Sequence, residues 1–271
     1  MNSITLPANA KLNLFLDIAG KRDDGYHDII TEMQEIDLCD TVTVKLTKSG
    51  IRVTCDNPAI PTDRRNIAYR AAELFMRESN LDDGSWGVKI HIKKRIPVMA
   101  GLGGSSTDGA AVLKALHSLW LMDDGVFGSC DLLKMGAKLG ADVPFCLVGG
   151  RAECRGIGDI ITPLPDLEPQ FYAIIQPDFC CNTKKAYELY SQRRGDLQGD
   201  ERNVFMELYN DERINNACSE LLQAGAQSAS MTGSGSAVFG VFRDRKSAEA
   251  ALKKLDYPFK QVACNIRRSG V

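Results

Sequence analysis

The chain carries Ile96-Pro97-Val98-Met99-Ala100-Gly101-Leu102-Gly103-Gly104-Ser105-Ser106-Thr107-Asp108, a glycine-rich stretch that leads directly into the helical pattern of residues 109–116. Glycines let backbone N–H groups turn toward one point, and a helix that begins there adds its free amides and the positive end of its dipole. A phosphate group is the expected ligand of such a loop. The alternative is a plain glycine-rich connector. The three consecutive hydroxyls at 105–107, which could bind phosphate oxygens or a magnesium ion, favour the phosphate site.

Two common phosphate-binding motifs do not fit this loop. A Walker A loop ends in Gly-Lys-Ser/Thr, whereas Gly103-Gly104 is followed here by Ser105 without a lysine. A Rossmann fingerprint requires a third glycine where Ser106 stands. The loop therefore indicates a different class of phosphate site.

The composition is that of an ordinary globular chain. Its 271 residues are 44% hydrophobic and 25% charged, with a formal net charge of -2. This balance provides neither a basic field for nucleic acid nor a polybasic membrane patch, so we expect neither partner. The apolar runs are short, the first residues do not resemble a signal peptide, and the nine cysteines lack metal-ligand spacing. We expect a cytoplasmic protein in a reduced setting, without structural zinc.

Apolar periodicity predicts alternating strands and helices, and hence an α+β fold. Strands are predicted at 12–18, 42–46, 51–53, 88–92, 171–176, 237–242 and 259–264. Helices are predicted at 66–79, 109–116, 132–139, 183–192, 217–224 and 246–255, with a left-handed cap at Gly140. Glycine and proline crowd residues 149–169, so we place a domain boundary there, between an N-terminal domain of residues 1–157 and a C-terminal domain of residues 158–271.

Two charged residues are candidates for chemistry. Asp142 lies between the end of a predicted helix and an apolar segment, an unusual place for a solvated carboxylate. Phosphoryl transfer needs a phosphate cradle, a cation and a group that orients or deprotonates the nucleophile, and Asp142 is the candidate base. The alternative for Asp142 is a cap or turn residue. Lys11, the candidate cation, lies on the same strand face as Asn13, although periodicity alone favours a surface strand lysine at this position.

The loop Pro97-x-x-Ala-Gly-Leu-Gly-Gly-Ser-Ser-Thr resembles the phosphate loop of the GHMP kinases, a family of small-molecule kinases. Ser105 replaces a glycine of the family pattern and Thr107 replaces its second serine, so the hydroxyls and small side chains are kept. Other segments resemble further elements of the family, in the family's order: residues 7–14 with Lys11 and Asn13, residues 140–145 with Asp142, and the glycine-rich residues 231–237.

A further segment indicates one branch of this family. Lys21-Arg22-Asp23-Asp24-Gly25-Tyr26-His27-Asp28-Ile29 is similar to the hallmark of the kinases that act on a cytidine diphosphate-linked methylerythritol in the non-mevalonate pathway to isoprenoid precursors. An aromatic ring can stack on the cytosine of such a substrate, and a histidine can hydrogen-bond its edge. Tyr187 fits a family position that also contacts the base, although it could instead be a core residue of an amphipathic helix.

The resemblance implies the GHMP kinase fold, with an N-terminal domain like ribosomal protein S5 domain 2 and a ferredoxin-like C-terminal α/β sandwich, acting with ATP and Mg²⁺. Asp142 would accept the proton of the substrate hydroxyl, and Lys11 would stabilise the nucleophile and the developing charge. ATP would be bound by Pro97, Val98, Met99, Ala100, Gly101, Leu102, Gly103, Gly104, Ser105, Ser106 and Thr107, with Asn66 and Lys94 near the adenine. The small-molecule substrate would be bound by Asn13, Tyr26, His27, Thr183, Tyr187, Gly233 and Ser234. No residue is assigned as a metal ligand, and we expect a monomer or a weak homodimer.

Two other functions remain open at the level of the sequence. Another GHMP activity, such as that of homoserine kinase or mevalonate kinase, would fit the loop, but those substrates carry no base for Tyr26 and His27 to recognise. A non-catalytic protein of the same fold would not need both Lys11 and Asp142. The sequence therefore favours the kinase that acts on a cytidylylated substrate.

Overall fold

Residues 2–79, 86–121, 131–179, 181, 183–193 and 202–267 are described by a computed structural model of the chain. Contacts divide the chain into a first unit of Met1–Ala10, Cys39–Ile96 and Gly103–Val148, and a second unit of Lys11–Leu38, Pro97–Leu102 and Gly149–Val271. The division into residues 1–157 and 158–271 stays a prediction.

Two long strands, β1 (Ser3–Lys21) and β2 (His27–Thr47), pair with each other and run through both units. In the first unit, the end of β2 pairs antiparallel with β4 (Gly87–Lys93), and β4 pairs parallel with β3 (Gly50–Cys55). Val42 and Val44 are buried while the residues between and after them are more exposed, which is the alternation expected of a half-buried strand. The predicted strands of this unit are confirmed.

The described part of the first unit also contains the helices α1 (Ile67–Glu78), α2 (Gly104–Leu121), α3 (Leu132–Leu139) and α4 (Val143–Val148). Helix α2 follows the glycine-rich loop and is apolar on nearly every side, so it is buried as a central helix. The left-handed cap predicted at Gly140 is wrong: its φ of 170° and ψ of 156° are extended. The short helix α4 was not predicted, because six residues are too few to show a helical period.

The second unit contains a hairpin and a four-stranded antiparallel sheet. The hairpin joins β5 (Arg151–Arg155) to β6 (Ile160–Pro163), and β5 pairs with the beginning of β2. The sheet has the order β10-β7-β9-β8, with β7 (Phe171–Gln176), β8 (Ser228–Met231), β9 (Val238–Phe242) and β10 (Phe259–Cys264). The helices are α5 (Thr183–Arg193), α6 (Val204–Tyr209), α7 (Glu212–Gln223) and α8 (Arg245–Lys254). Of these elements, β5, β6, β8 and α6 were not predicted.

The core of the second unit lies between its sheet and its helices. Ala173 and Ile175 of β7 are fully buried and belong to one apolar cluster with Leu221 of α7 and Ala251 of α8. Tyr172 and Ile174, on the other face of β7, are also buried, so this central strand is apolar on both faces. Within the described residues, no helix has the length and apolar character that a bilayer-spanning segment needs.

Candidate active site

The first half of the phosphate loop packs against the glycine-rich element at residues 231–237, within the second unit. Gly101 has a φ of +76°, and a Cβ at this position would overlap the carbonyl oxygen of Thr232. Thr232 Oγ1 donates a hydrogen bond to the Gly101 carbonyl (3.2 Å), and the Ala237 N–H donates to the Ala100 carbonyl (3.2 Å). Only glycine fits both the backbone conformation and this close approach. Two motifs that lie about 130 residues apart in the chain are therefore joined backbone to backbone.

Lys11 lies where these two elements meet. Its side chain is buried, with 3% of the residue exposed, which excludes the alternative of a surface strand lysine. The Lys11 N–H donates to the Leu102 carbonyl (3.1 Å), and Nζ donates to Asn13 Oδ1 (2.5 Å). A Cβ on Gly233, whose φ is +56°, would lie 3.4 Å from Lys11 Nζ. The backbone of Gly233 can thus approach the ammonium group because it carries no side chain.

Asn13 is held by hydrogen bonds on both sides. Its N–H donates to Thr232 Oγ1 (3.0 Å), and its Nδ2 donates to Thr31 Oγ1 (2.7 Å). The Thr31 hydroxyl in turn donates to the Phe15 carbonyl (2.6 Å). The position of the Asn13 amide is therefore determined by its neighbours, and the amide presents its oxygen to Lys11. The sequence predicted that Lys11 and Asn13 share a strand face, and this hydrogen bond confirms it.

Asn203 was missed by the sequence reasoning. Its Nδ2 donates to the carbonyls of Met231 (2.8 Å) and Gly233 (2.9 Å), while its Oδ1 accepts from the Phe205 N–H (3.0 Å). Asn203 thus caps helix α6 and also holds the second glycine-rich element in place through two hydrogen bonds to its backbone. A sequence signal was available, since an asparagine that precedes a short apolar run indicates a helix cap, but nothing local indicated its second role.

Ser234 extends the same element toward the first turn of α5. The hydroxyls of Ser234 and Thr183 lie 2.7 Å apart, and Tyr209 OH donates to the Ser234 carbonyl (3.3 Å). Thr183 is exposed and Ser234 is 9% exposed. The structure thus brings together two of the predicted substrate-binding residues.

The rings of His27 and Tyr187 stack on each other within the second unit. Their centroids are 5.1 Å apart with an interplanar angle of 24°, and His27 Nε2 lies 3.1 Å from Ser191 Oγ. The Tyr187 ring also packs edge-on against Phe205, with centroids 5.1 Å apart and an interplanar angle of 86°. Tyr187 is half-buried at the margin of the apolar core, so the two roles considered for it are compatible. Tyr26 is 61% exposed.

The charge state of His27 follows from its surroundings. Burial, and to a lesser extent the positive charge of Lys21, lower the pKa of His27 below its ordinary value. The ring is therefore neutral at pH 7, and a neutral imidazole has one donor and one acceptor nitrogen. Such a ring can form hydrogen bonds with a nucleobase edge without carrying charge into the site.

The second half of the phosphate loop belongs to the first unit, and its three hydroxyl-bearing residues differ from one another in exposure. Ser105 is exposed and Ser106 is half-buried, whereas Thr107 is 3% exposed and its Oγ1 donates to the Asn9 carbonyl (2.7 Å). Gly103, with a φ of +73°, precedes helix α2. The hydroxyl of Thr107 thus holds the helix to β1, and Ser105 and Ser106 are the hydroxyls of this trio that are accessible from solvent.

The residues predicted to lie near adenine make well-defined contacts in the first unit. Asn66 caps helix α1: its Oδ1 accepts from the Ala68 N–H (2.8 Å), and its Nδ2 donates to the Pro61 carbonyl (2.8 Å). The ammonium group of Lys94 donates to carboxylate oxygens of Asp40 and Asp108. These contacts explain the local structure at both positions, and a role of either residue at adenine stays a prediction.

Asp142 lies in the turn between α3 and α4, in the first unit. It is half-buried, and its carbonyl accepts a hydrogen bond from the Cys146 N–H (3.1 Å) in the first turn of α4. Gly136 allows α3 to pack closely on this turn, since a Cβ there would lie 3.3 Å from Val143 Cγ1 and 3.4 Å from the Pro144 nitrogen. The turn is therefore firmly placed. That Asp142 acts together with Lys11 stays a prediction.

Comparison with known proteins identifies the class. Residues 66–150 match the GHMP kinases N terminal domain, and residues 208–261 match the GHMP kinases C terminal domain. Both halves of a GHMP kinase are therefore present, in the order that the four sequence elements indicated.

The relatives identify the branch. A 4-diphosphocytidyl-2-C-methyl-D-erythritol kinase of Clostridium botulinum (strain Loch Maree / Type A3) is 39% identical over 276 residues, covering 94% of this chain and 96% of the relative. The enzyme of the same name from Clostridium acetobutylicum is 37% identical, covering 96% of this chain and 98% of the relative. A crystal structure of 4-(cytidine 5'-diphospho)-2C-methyl-D-erythritol kinase matches with a TM-score of 0.80 at 30% identity, covering 97% of this chain and 99% of that one. The chain belongs to the 4-diphosphocytidyl-2-C-methyl-D-erythritol kinase family.

Proposed function

We propose that Lys11 and Asp142 carry the reaction of this family in the chain, the ATP-dependent phosphorylation of the 2-hydroxyl of 4-diphosphocytidyl-2-C-methyl-D-erythritol in the non-mevalonate pathway to isoprenoid precursors. The observation that carries the proposal is the position of the Lys11 ammonium group. It is buried, hydrogen-bonded to Asn13, and in contact with the region where the phosphate loop meets the backbone of Gly233.

A cation at this position can stabilise the negative charge that develops during phosphoryl transfer. The transferring phosphoryl group spreads negative charge over its oxygens, and fixed positive charge in a water-poor site stabilises that charge strongly. Asn13 holds the Lys11 side chain in one orientation, so little reorganisation is needed during the reaction. Lys11 would therefore stabilise both the nucleophilic oxygen and the phosphoryl group.

Asp142 would supply the base. A carboxylate that accepts the proton of the attacking hydroxyl makes that oxygen more nucleophilic as it approaches the γ-phosphorus. The turn that carries Asp142 is placed by the close packing of α3 on α4, which suits a group that must reach a defined point. The assignment of this residue rests on the family resemblance of residues 140–145.

The stacked pair of His27 and Tyr187 would bind the cytidine end of the substrate. The rings are already stacked, so the pair offers an aromatic face at little cost in entropy, and the neutral imidazole has a second ring nitrogen besides the Nε2 that lies 3.1 Å from Ser191 Oγ. Tyr26, which is largely exposed, would cover the other face of the base. Asn13, Thr183, Gly233 and Ser234 would contact the polyol and the diphosphate.

ATP would enter with Mg²⁺. Magnesium retains several waters and is held mainly by substrate phosphates with one or two protein oxygens. The described residues include no group of three His, Cys, Asp or Glu side chains able to hold a metal ion, so the fit is to an ion carried by the nucleotide. The hydroxyls of Ser105 and Ser106 are the candidate protein contacts to that ion. When bound, Mg²⁺ would neutralise charge on the β- and γ-phosphates.

The remaining expectations concern the setting of the enzyme. We infer that it works in the cytoplasm, as a monomer or a weak homodimer, on a small-molecule substrate and without a nucleic-acid partner. The formal net charge of -2 supports the last point, since it offers no general attraction for a polyanion.

Asp142→Asn tests the proposal, because it keeps the shape of the side chain and removes its ability to accept the proton. Loss of a general base typically lowers the rate about 10²–10⁴-fold. We expect that drop in kcat in a coupled kinase assay, with the Kd for a non-hydrolysable ATP analogue within about twofold of the wild-type value. Asp256→Asn, an exposed aspartate before β10, is the matched control and should leave kcat unchanged. An Asp142→Asn enzyme with more than about a tenth of the wild-type kcat would exclude Asp142 as the base.

A further inference from the structure

The first unit contains a buried cluster of three charged side chains, Asp40, Lys94 and Asp108. Their side chains are 0%, 7% and 4% exposed. The Lys94 ammonium group donates to Asp40 Oδ2 and, at 2.8 Å, to Asp108 Oδ2. Asp40 Oδ1 accepts from the N–H groups of Arg95 and Ile96, the latter at 2.9 Å. The three side chains are thus joined to one another, and Asp40 also joins them to the backbone of Arg95 and Ile96.

The three residues stand at the two ends of the phosphate loop. Lys94 and the two N–H groups bound by Asp40 immediately precede the loop, whereas Asp108 lies in the second turn of α2, immediately after it. The ammonium group also lies close to Gly104, the first residue of α2. A Cβ on Gly104 would be 3.4 Å from Lys94 Nζ and 3.1 Å from Ile96 Cγ2. One cation therefore ties together the point where the chain leaves the first unit and the point where it returns.

Stability alone gives a poor account of this cluster. Burying two carboxylates with one ammonium group costs desolvation energy that the ion pairs often do not recover, and apolar replacements of such clusters are frequently as stable. The cost is visible at Asp108, whose Oδ1 is buried without a hydrogen-bond partner among the described residues. What the cluster does provide is a fixed geometry, because each Lys94 hydrogen bond reaches a different structural element.

We propose that Lys94 is a positioning residue whose ammonium group, through Asp40 and Asp108, fixes the spacing of the two ends of the phosphate loop and so directs the first amides of α2 at the phosphates of ATP. The inference rests on the proposed function, since it concerns the same nucleotide. It gives the Lys94 side chain a role that does not depend on the base, in contrast to the adenine contact that the family resemblance implies.

The decisive variant is Asp108→Leu, which removes the link to α2 and leaves Lys94 paired with Asp40. Asp108→Asn is the conservative control, because its amide oxygen can still accept from Lys94. Three ligands are titrated with each folded variant: MgATP, MgGTP and magnesium tripolyphosphate, which has no base. The KM for the cytidylylated substrate is measured in parallel. If Asp108→Leu fails to fold, the same comparison is made with Asp108→Ser, whose short side chain cannot reach Nζ.

Asp108→Leu should weaken all three ligands by a common factor of roughly tenfold to a hundredfold, because a misplaced helix start affects every polyphosphate alike. The KM for the cytidylylated substrate should not change, and Asp108→Asn should retain most of the affinity. A loss confined to MgATP would show that this region reads the base, and unchanged affinities would show that the cluster only supports folding. Either result would overturn the proposal. Absence of turnover in the wild-type enzyme, measured in the same assay, would instead contradict the proposed function.

Discussion

Replacing Gly101 by alanine should damage catalysis far more than it damages the fold. Gly101 has a φ of +76°, a conformation that costs an L-residue about 1–2 kcal/mol. In addition, the new Cβ would overlap the carbonyl oxygen of Thr232 and lie 3.0 Å from its carbonyl carbon. Because both neighbours are backbone atoms, no side chain can rotate away. One of the two glycine-rich elements must move.

The size of the effect follows from that displacement. Restoring van der Waals distance requires a shift on the order of 1 Å, and a misplacement of this size near a reacting centre can lower the rate about 10²-fold. The elements that would move carry the Leu102 carbonyl and Gly233, which surround Lys11. We therefore expect kcat/KM to fall by roughly two orders of magnitude, and the free energy of unfolding by somewhat more than the conformational cost alone.

Gly50→Ala provides the matched control. Gly50 has a similar φ of +69° but a Cβ there would meet nothing within 4 Å, so this variant carries the conformational strain without the overlap. Both variants are compared by denaturant unfolding and by a coupled kinase assay. Gly50→Ala should lose about 1–2 kcal/mol of stability and no activity. If Gly101→Ala behaves like Gly50→Ala in the kinase assay, the close approach of the two glycine-rich elements is not needed for catalysis and the reasoning fails.

Two further results are expected. Tyr187→Ala should lower kcat/KM for the cytidylylated substrate roughly tenfold to a hundredfold, because about 1–3 kcal/mol of stacking is lost. The Kd of an ATP analogue should not change. An equal loss of affinity for both ligands would indicate a damaged core instead. Burial raises the pKa of Asp108 from 3.8 to about 7, despite the opposing effect of Lys94. A carboxyl whose pKa is raised on folding contributes stability that is complete below about pH 4 and is lost as the pH rises through 7. Asp108→Asn should therefore flatten the fall in thermal stability between pH 4 and pH 7, and a slope equal to that of the wild type would contradict this account.

Local sequence patterns predicted much of the fold. The alternation along β4 and the helical stripe of α1 depend on burial of one face, and each is visible in a short window of sequence. The short elements were missed for the opposite reason: α4 and β8 have six and four residues, too few to show a period. Gly140 shows a different limit, because a glycine after a helix permits a left-handed cap without requiring one.

The candidate site also has a part that the sequence predicts and a part that it does not. Its motifs could be recognised one by one, since each glycine-rich element and the pair Tyr26-His27 is contiguous. The contacts that join them could not be predicted, because they link residues far apart in the chain and leave no local trace. Asp40 and Lys94 lie 54 positions apart, and His27 and Ser191 lie 164 apart. Lys94 directly follows β4 and its side chain is buried, although a lysine is seldom fully buried unless it is paired.

The most direct test of the central claim is a single coupled kinase assay of the purified protein with three acceptors: 4-diphosphocytidyl-2-C-methyl-D-erythritol, mevalonate and homoserine. The account predicts ATP-dependent turnover of the cytidylylated acceptor, with kcat/KM at least about 10²-fold above that for the other two, because only this acceptor can use the base-binding pair His27 and Tyr187. Comparable turnover of mevalonate or homoserine, or no turnover of the cytidylylated acceptor by a protein that binds ATP, would contradict it.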